Sequence, residues 1–208
     1  MNIRNIIIDF GGIIVDLDKQ AALDAFEALH FNARPYIDKY VQQGIFSGLE
    51  LGTTSPAEFY DYVCQQASCP IQHQQICQAW NSMLTAIPPH RLSHIARLRQ
   101  QGFRTYLLSN TNSIHWQHTL QHLLPHHGEE FTQAFHHLFL SFEIHLAKPA
   151  PQAFQYVLDH AGIQAQESLF IDDSATNCQS AQALGIHTFH SVTPDDWIDH
   201  THLLSPMP

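Results

Sequence analysis

The sequence predicts an α/β fold built on a doubly wound parallel sheet, and three observations predict it. Short apolar runs alternate with stretches at helical spacing, glycines close the helices, and polar clusters follow the ends of the apolar runs. Between residues 17 and 86 the alternation stops and only helical patterns appear, so a small all-helical insert is expected there. The expected organisation is a core of residues 1–16 and 87–208 and a helical unit of residues 17–86, with Pro88-Pro89 as the clearest boundary.

Ile6, Ile7 and Ile8 are β-branched and apolar on both faces, which suits a central strand buried from two sides. Asp9 stands where that strand ends, and Gly11-Gly12 lets backbone approach a ligand closely. Ala21, Ala22, Ala25, Phe26 and Leu29 then recur at helical spacing until Arg34-Pro35 interrupts them. Residues 36–41 read as a short helical piece and residues 44–54 as a loop. Ser55-Pro56-Ala57-Glu58 is a capping box with Pro at the first helical position, so a helix starts there and stops before Pro70. A further helix is expected over 71–84, with Ile76, Trp80, Met83 and Leu84 along one side.

Past the two prolines, residues 90–101 form a helix closed by Gly102, and 103–108 a strand that delivers Ser109-Asn110-Thr111-Asn112. A helix to about 124 and a strand over 136–141 lead to Lys148-Pro149, and a helix over 150–161 ends at Gly162. The strand 168–171 delivers Asp172-Asp173, followed by a helix over 176–184, Gly185 and a last strand over 186–189. Right-handed crossovers bring the carboxyl ends of parallel strands to one edge, where ligands bind. Asp9, Ser109, Asn110, Lys148, Asp172 and Asp173 are therefore expected to meet.

Nineteen Asp and Glu against nine Lys and Arg give a formal charge of −10, and no basic stripe exists to hold a nucleic-acid backbone. The seventeen His are dispersed and make the charge sensitive to pH near neutrality. Cys64, Cys69, Cys77 and Cys178 lack C-x-x-C spacing, which fits reduced thiols rather than a zinc site. The absence of a signal-peptide pattern or a long apolar run leads us to expect a cytoplasmic protein without membrane contact.

The collected residues suit phosphoryl transfer. Asp9 can attack phosphorus and form an aspartyl-phosphate. Asp9, the Gly11 carbonyl and the Asp172-Asp173 pair offer the hard oxygens that Mg²⁺ wants. Ser109 and Asn110 can donate to phosphate oxygens near a helix amino end, and Lys148 can offset the gathering negative charge. A helical insert after the first strand fits a lid that excludes water.

Four motifs in order, Ile7-Ile8-Asp9-Phe10-Gly11-Gly12, Leu107-Leu108-Ser109-Asn110-Thr111-Asn112, Lys148-Pro149 and Phe170-Ile171-Asp172-Asp173-Ser174-Ala175-Thr176-Asn177, resemble the haloacid dehalogenase superfamily over the whole chain. The resemblance implies a Rossmann-like core, with residues 17–86 in the position of the family's C1 cap. Within the superfamily the strings look most like the bacterial phosphatases of the α-D-glucose-1-phosphate phosphatase type. It implies Asp9 as nucleophile and metal ligand, Gly11 as carbonyl ligand, and Ser109 and Asn110, beside Gly11 and Gly12, as phosphate binders. Lys148 is then the charge stabiliser, Asp173 the direct acidic Mg²⁺ ligand, Asp172 its partner and Asn177 their support. The implied substrate is a small phosphorylated metabolite such as a sugar phosphate, handled by a monomer or weak dimer.

One departure matters: most phosphatases of the superfamily carry a second Asp two residues after the nucleophile, and here that position is Gly11. A positioned proton donor contributes about 10²–10⁴-fold, so slow turnover on poor leaving groups is expected. Two other readings stay open, a non-catalytic binding protein and a carbon–halogen hydrolase, although the latter leaves Asp172-Asp173 without a purpose. Asp16 and Asp18 read as solvated hinge carboxylates, and His115, His118 and His122 as a surface helix face. Lys19 and Lys39 are the lysines of the helical unit, and Phe59, Tyr60, Tyr62 and Trp80 its core. Gln43 and Glu50 fall in the expected loop, where exposure is the default although they could read a sugar hydroxyl.

Overall fold

β1, Asn5–Ile8, is buried along its whole length because both of its edges and both of its faces are covered. It pairs in parallel with β4, Arg104–Ser109, on one side and with β6, Ser168–Asp172, on the other. β5, His137–Leu140, and β7, His187–His190, extend the sheet, giving the order β5-β4-β1-β6-β7 with every pair parallel. The computed structural model describes residues 2–38, 42–124, 128–202 and 204.

Alternation along β1 divides the core. Ile7 points into a layer with Tyr106, Leu108, Phe154, Val157 and Phe170, while Ile6 and Ile8 join the opposite layer. The first layer is covered by α9, Pro151–Ala161, and α10, Ala175–Ala183. The second is covered by α5, Pro89–Gln100, α6, Ser113–His118, α7, Glu129–Gln133, and α11, Asp196–His202. α6 continues as a π-helical turn over Thr119–Leu123, and α8, Ser141–Ile144, directly follows β5. α11 has no counterpart among the sequence expectations. Its seven residues fall below the length at which helical periodicity reads clearly, yet Trp197 and Thr201 bury one face of it.

Four helices lie between the first strand and α5. They are α1, Lys19–Ala28, α2, Gly44–Glu50, α3, Pro56–Gln66, and α4, His73–Asn81. Phe26, Phe46, Phe59 and Trp80 are fully buried at their centre, with Phe46 edge-on to Phe59 at 4.8 Å and to Trp80 at 4.9 Å. Ser55 and Glu58 form the capping box at the start of α3. No helix among the described residues is long and apolar enough to cross a membrane.

Three local expectations are corrected. Residues 44–54 are not all loop, because α2 occupies Gly44–Glu50 with Phe46 and Leu49, three apart, both buried. Gly44 and Gly48 lower helix propensity, but a Cβ at Gly48 would stand 2.3 Å from Thr54 Oγ1, so packing selects glycine there. The expected helical piece over 36–41 has no helix in its described part, where Arg34 to Tyr36 form a turn; residues 39–41, Lys39 included, lie outside the described residues. The 17–86 stretch is not free of strand either. β2, Asp16–Leu17, pairs antiparallel with β3, Leu84–Ala86, in a ribbon too short to show alternation.

Candidate active site

The ends of three adjacent strands supply the site. Asp9 follows β1 and is 8% exposed, its backbone N–H donating to Ile171 O across to β6 at 2.9 Å. Ser109 closes β4 and is 1% exposed. Asp172 closes β6, fully buried, with half-buried Asp173 beside it.

Lys148 ties these ends together. Its Nζ lies 2.6 Å from Asp9 Oδ1 and 2.7 Å from Asp172 Oδ2, over the Phe170 ring at 5.4 Å. Burial works against the ammonium, but Asp172 and Asp9 outweigh it and hold the Lys148 pKa above its usual value. Burial raises the Asp9 carboxyl pKa, the Lys148 ammonium 2.6 Å away pulls it down and favours the ionised form, and Asp172 and Asp173 push it up again.

Asp172 has little left to offer a ligand. Ser174 N–H donates to its Oδ1 at 2.7 Å, and the Asn177 amide reaches both of its oxygens at 3.0 and 3.1 Å. Asp173 instead faces the glycine turn. Gly12 has φ +78, and a Cβ on it would stand 2.9 Å from Asp173 Oδ2, so only glycine admits that carboxylate. Carboxylate oxygens of Asp9, Asp172 and Asp173 lie within 4.8 Å of one another. One ammonium against three carboxylates leaves the cluster negative, and hard oxygen donors at that spacing fit a small divalent cation.

Asn110 lines the cavity at the tip of β4, and its side chain also fastens the neighbouring loop. Its Nδ2 donates to Lys148 O at 2.8 Å, and Lys148 N–H donates to its Oδ1 at 2.8 Å. The amide thereby holds the Lys148 main chain.

A cavity of about 610 Å³ opens over these groups, lined by Asp9, Gly11, Gly12, Ser109, Lys148 and Asp173. Its other wall comes from the helical segment and includes Lys19, Gln42 and Glu50. Gln42 is 7% exposed, and its Oε1 has no hydrogen-bond partner among the described residues. Gln43, the residue named from sequence, is exposed instead.

Two other expectations change. Asp16 lines the cavity, but its Oδ1 is held at 2.7 Å by Arg91 Nη1, whose Nε also reaches Asp195 at 2.8 Å. His115 is not on a surface face with His118 and His122: it is 7% exposed, stacks on Trp80 at 4.3 Å and lines the cavity. Burial drops its pKa to about 3, so the ring is neutral, and its Nε2 lies 3.1 Å from Trp80 O. The four cysteines are free thiols.

The profile of the haloacid dehalogenase-like hydrolases matches residues 3–185. A D-ribitol-5-phosphate phosphatase from Bacteroides thetaiotaomicron is 33% identical over 196 residues, covering 94% of this chain and 95% of its own. Among solved structures, an aspartate-to-alanine variant of a HAD family enzyme from the same organism, in complex with magnesium and inorganic phosphate, superposes with a TM-score of 0.91. The two are 36% identical, and the match covers 97% of this chain and all of the other. A predicted HAD-like family hydrolase from Porphyromonas gingivalis has a TM-score of 0.88 at 28% identity, covering 97% of both chains.

Proposed function

This chain belongs to the haloacid dehalogenase-like hydrolase family, and from that premise we propose that it is a Mg²⁺-dependent phosphatase of a small phosphorylated polyol or sugar. The observation that carries the reading is Lys148 bridging Asp9 and Asp172 at the edge of a cavity that Asp173 and Ser109 also line. Asp9, the Gly11 carbonyl and Asp173 would hold the cation, and Asp172 would keep Lys148 and the loop in position. When bound, Mg²⁺ supplies positive charge against the phosphoryl oxygens.

Asp9 attacks the phosphorus and becomes an aspartyl-phosphate, which water then hydrolyses. Its carboxylate is already aimed, since the Phe10 N–H donates to Oδ1 at 2.6 Å from one side and Lys148 reaches it from another. Lys148 offsets charge as the phosphoryl group passes to Asp9, and the Ser109 hydroxyl donates to a phosphoryl oxygen. Helices α1 to α4 act as the cap that closes the cavity against water.

A polyhydroxylated leaving group is supported by the buried Gln42 Oε1, an acceptor that a substrate hydroxyl would satisfy. The related ribitol phosphate phosphatase points to the same substrate class. The test is phosphate release from a panel of phosphorylated metabolites that includes D-ribitol 5-phosphate and p-nitrophenyl phosphate. Turnover with Mg²⁺ that EDTA and Asp9→Asn both abolish supports the reading. No turnover across the panel by folded protein favours a binding protein, and chloride release from 2-chloropropionate without metal favours dehalogenation.

A further inference from the structure

We propose that Glu50, at the carboxyl end of α2, protonates the leaving-group oxygen and later takes a proton from the attacking water, the work that Gly11 cannot do. This rests on the phosphatase reading above. The acid comes from the helical segment, yet it lines the same cavity as Asp9, Ser109 and Lys148.

Elimination narrows the choice. The acidic residues lining that cavity are Asp9, Asp16, Glu50 and Asp173. Asp9 is the nucleophile, and Asp173 belongs to the carboxylate cluster that suits a cation. Asp16 is tied to the buried Arg91 guanidinium at 2.7 Å, which turns it toward α5. His115 is neutral, with Nε2 against the Trp80 carbonyl, and has no proton to spare.

Glu50 is also held in register with the core, as a proton donor must be. The Ser141 hydroxyl lies 2.7 Å from Glu50 O and 2.9 Å from Thr111 O, bridging the end of α2 to the tip of β4. His145 Nδ1 lies 2.8 Å from Leu51 O. At Gly52 the turn passes so close that a Cβ would stand 2.1 Å from Phe142 O. Three successive residues are thereby docked on α8 and the residue that follows it.

The protonation state agrees. Burial pushes the Glu50 carboxyl up to about 8, with Lys19 and Lys148 pulling against it, so the acid form prevails at neutral pH. Asp9, Asp16, Asp173 and neutral His115 are the other titratable groups lining this cavity among the described residues.

The steps balance. An Asp9 oxygen forms a bond to phosphorus as the bond from phosphorus to the leaving oxygen breaks, and that oxygen keeps the pair and takes the Glu50 proton. Water then bonds to phosphorus, its proton passes to the Glu50 carboxylate, and the bond from phosphorus to Asp9 breaks. Ester and water become alcohol and inorganic phosphate, and both side chains return to their starting state.

The test compares wild type with Glu50→Gln on D-ribitol 5-phosphate, a simple alkyl phosphate and p-nitrophenyl phosphate, by rapid-mixing and steady-state kinetics. Alkyl and polyol esters are expected to lose about 10²–10⁴-fold in kcat with little change in KM. p-Nitrophenolate leaves without a proton, so the variant should give a burst of it, within about tenfold of the wild-type rate, followed by slow turnover. The burst itself reports a folded, competent Asp9.

A rise in KM with kcat unchanged would make Glu50 a substrate-hydroxyl reader and overturn the proposal. Equal losses on all esters, with no burst, would overturn it too. If the wild type hydrolyses nothing, or Asp9→Asn retains turnover, the phosphatase reading falls as well. If the wild type turns over and only the leaving-group contrast is missing, the Glu50 assignment falls alone.

Discussion

Asn110 and Lys148 hold each other by two reciprocal hydrogen bonds of 2.8 Å, amide NH₂ to main-chain carbonyl and main-chain N–H to amide oxygen. The tip of β4 is thereby fastened to the loop that carries the ammonium. Asn110→Ala leaves both main-chain groups of Lys148 unpaired, at a cost of about 1–3 kcal/mol. We expect a lower urea midpoint and a fall in kcat larger than any rise in KM. An unchanged kcat would deny the pair a role in aiming Lys148.

Removing the ammonium should be worse. Lys148→Met leaves the buried Asp9 and Asp172 without their counter-charge, and breaking such a pair costs about 3–5 kcal/mol. Phosphate release should fall by more than about 10²-fold, because the charge that Lys148 offsets is greatest in the transition state. Urea unfolding and steady-state rates check the two halves separately.

Two buried histidines make the fold sensitive to acid. Burial lowers the pKa of His94 to about 4 and of His115 to about 3, while in the unfolded chain both titrate near about 6.5. Between those values the unfolded state binds protons that the folded state does not, so stability rises with pH across that window. The stability is fully present above about 6.5 and is lost as pH falls toward the folded values. His94 faces Thr201 Oγ1 at 2.7 Å, and its Nδ1 has no partner among the described residues. His94→Leu should therefore lose less of its urea midpoint between pH 7 and pH 5 than wild type does.

Trp80 is the keystone of the helical segment, touching Phe26, Phe46, Phe59 and His115. Trp80→Ala should cost about 3–5 kcal/mol. Because His115 lines the cavity, we also expect KM to rise, which separates this variant from an ordinary core truncation.

What the sequence made legible follows from how each residue reaches the site. Asp9, Ser109 and Asp172-Asp173 stand at the ends of apolar runs, so pattern alone marked them, and Lys148 stood out beside Pro149. Glu50, Gln42 and His115 arrive through tertiary docking of helices, and no local pattern says which helix end faces a strand tip. α2 was obscured by two glycines, although Phe46 and Leu49 at a spacing of three were the readable trace of it. The Asn110 amide is a donor by its chemistry, but its partner Lys148 lies 38 residues away and depends on the path of an intervening loop. The half-exposed Asp16 side chain also pairs with Arg91 across 75 residues, and Arg91 carries no mark of that pairing in the sequence.

The position of β1 at the middle of the sheet has a consequence for synthesis and handling of the chain. The central strand emerges first, but its two neighbours are β4 and β6, which begin at residues 104 and 168. Three isoleucines must therefore stay out of trouble until most of the polypeptide exists, the slow and aggregation-prone order of assembly for long-range parallel pairing. Fragments that stop before residue 168 should be sticky and inert, and specific activity in a preparation should count only molecules that have completed the whole sheet.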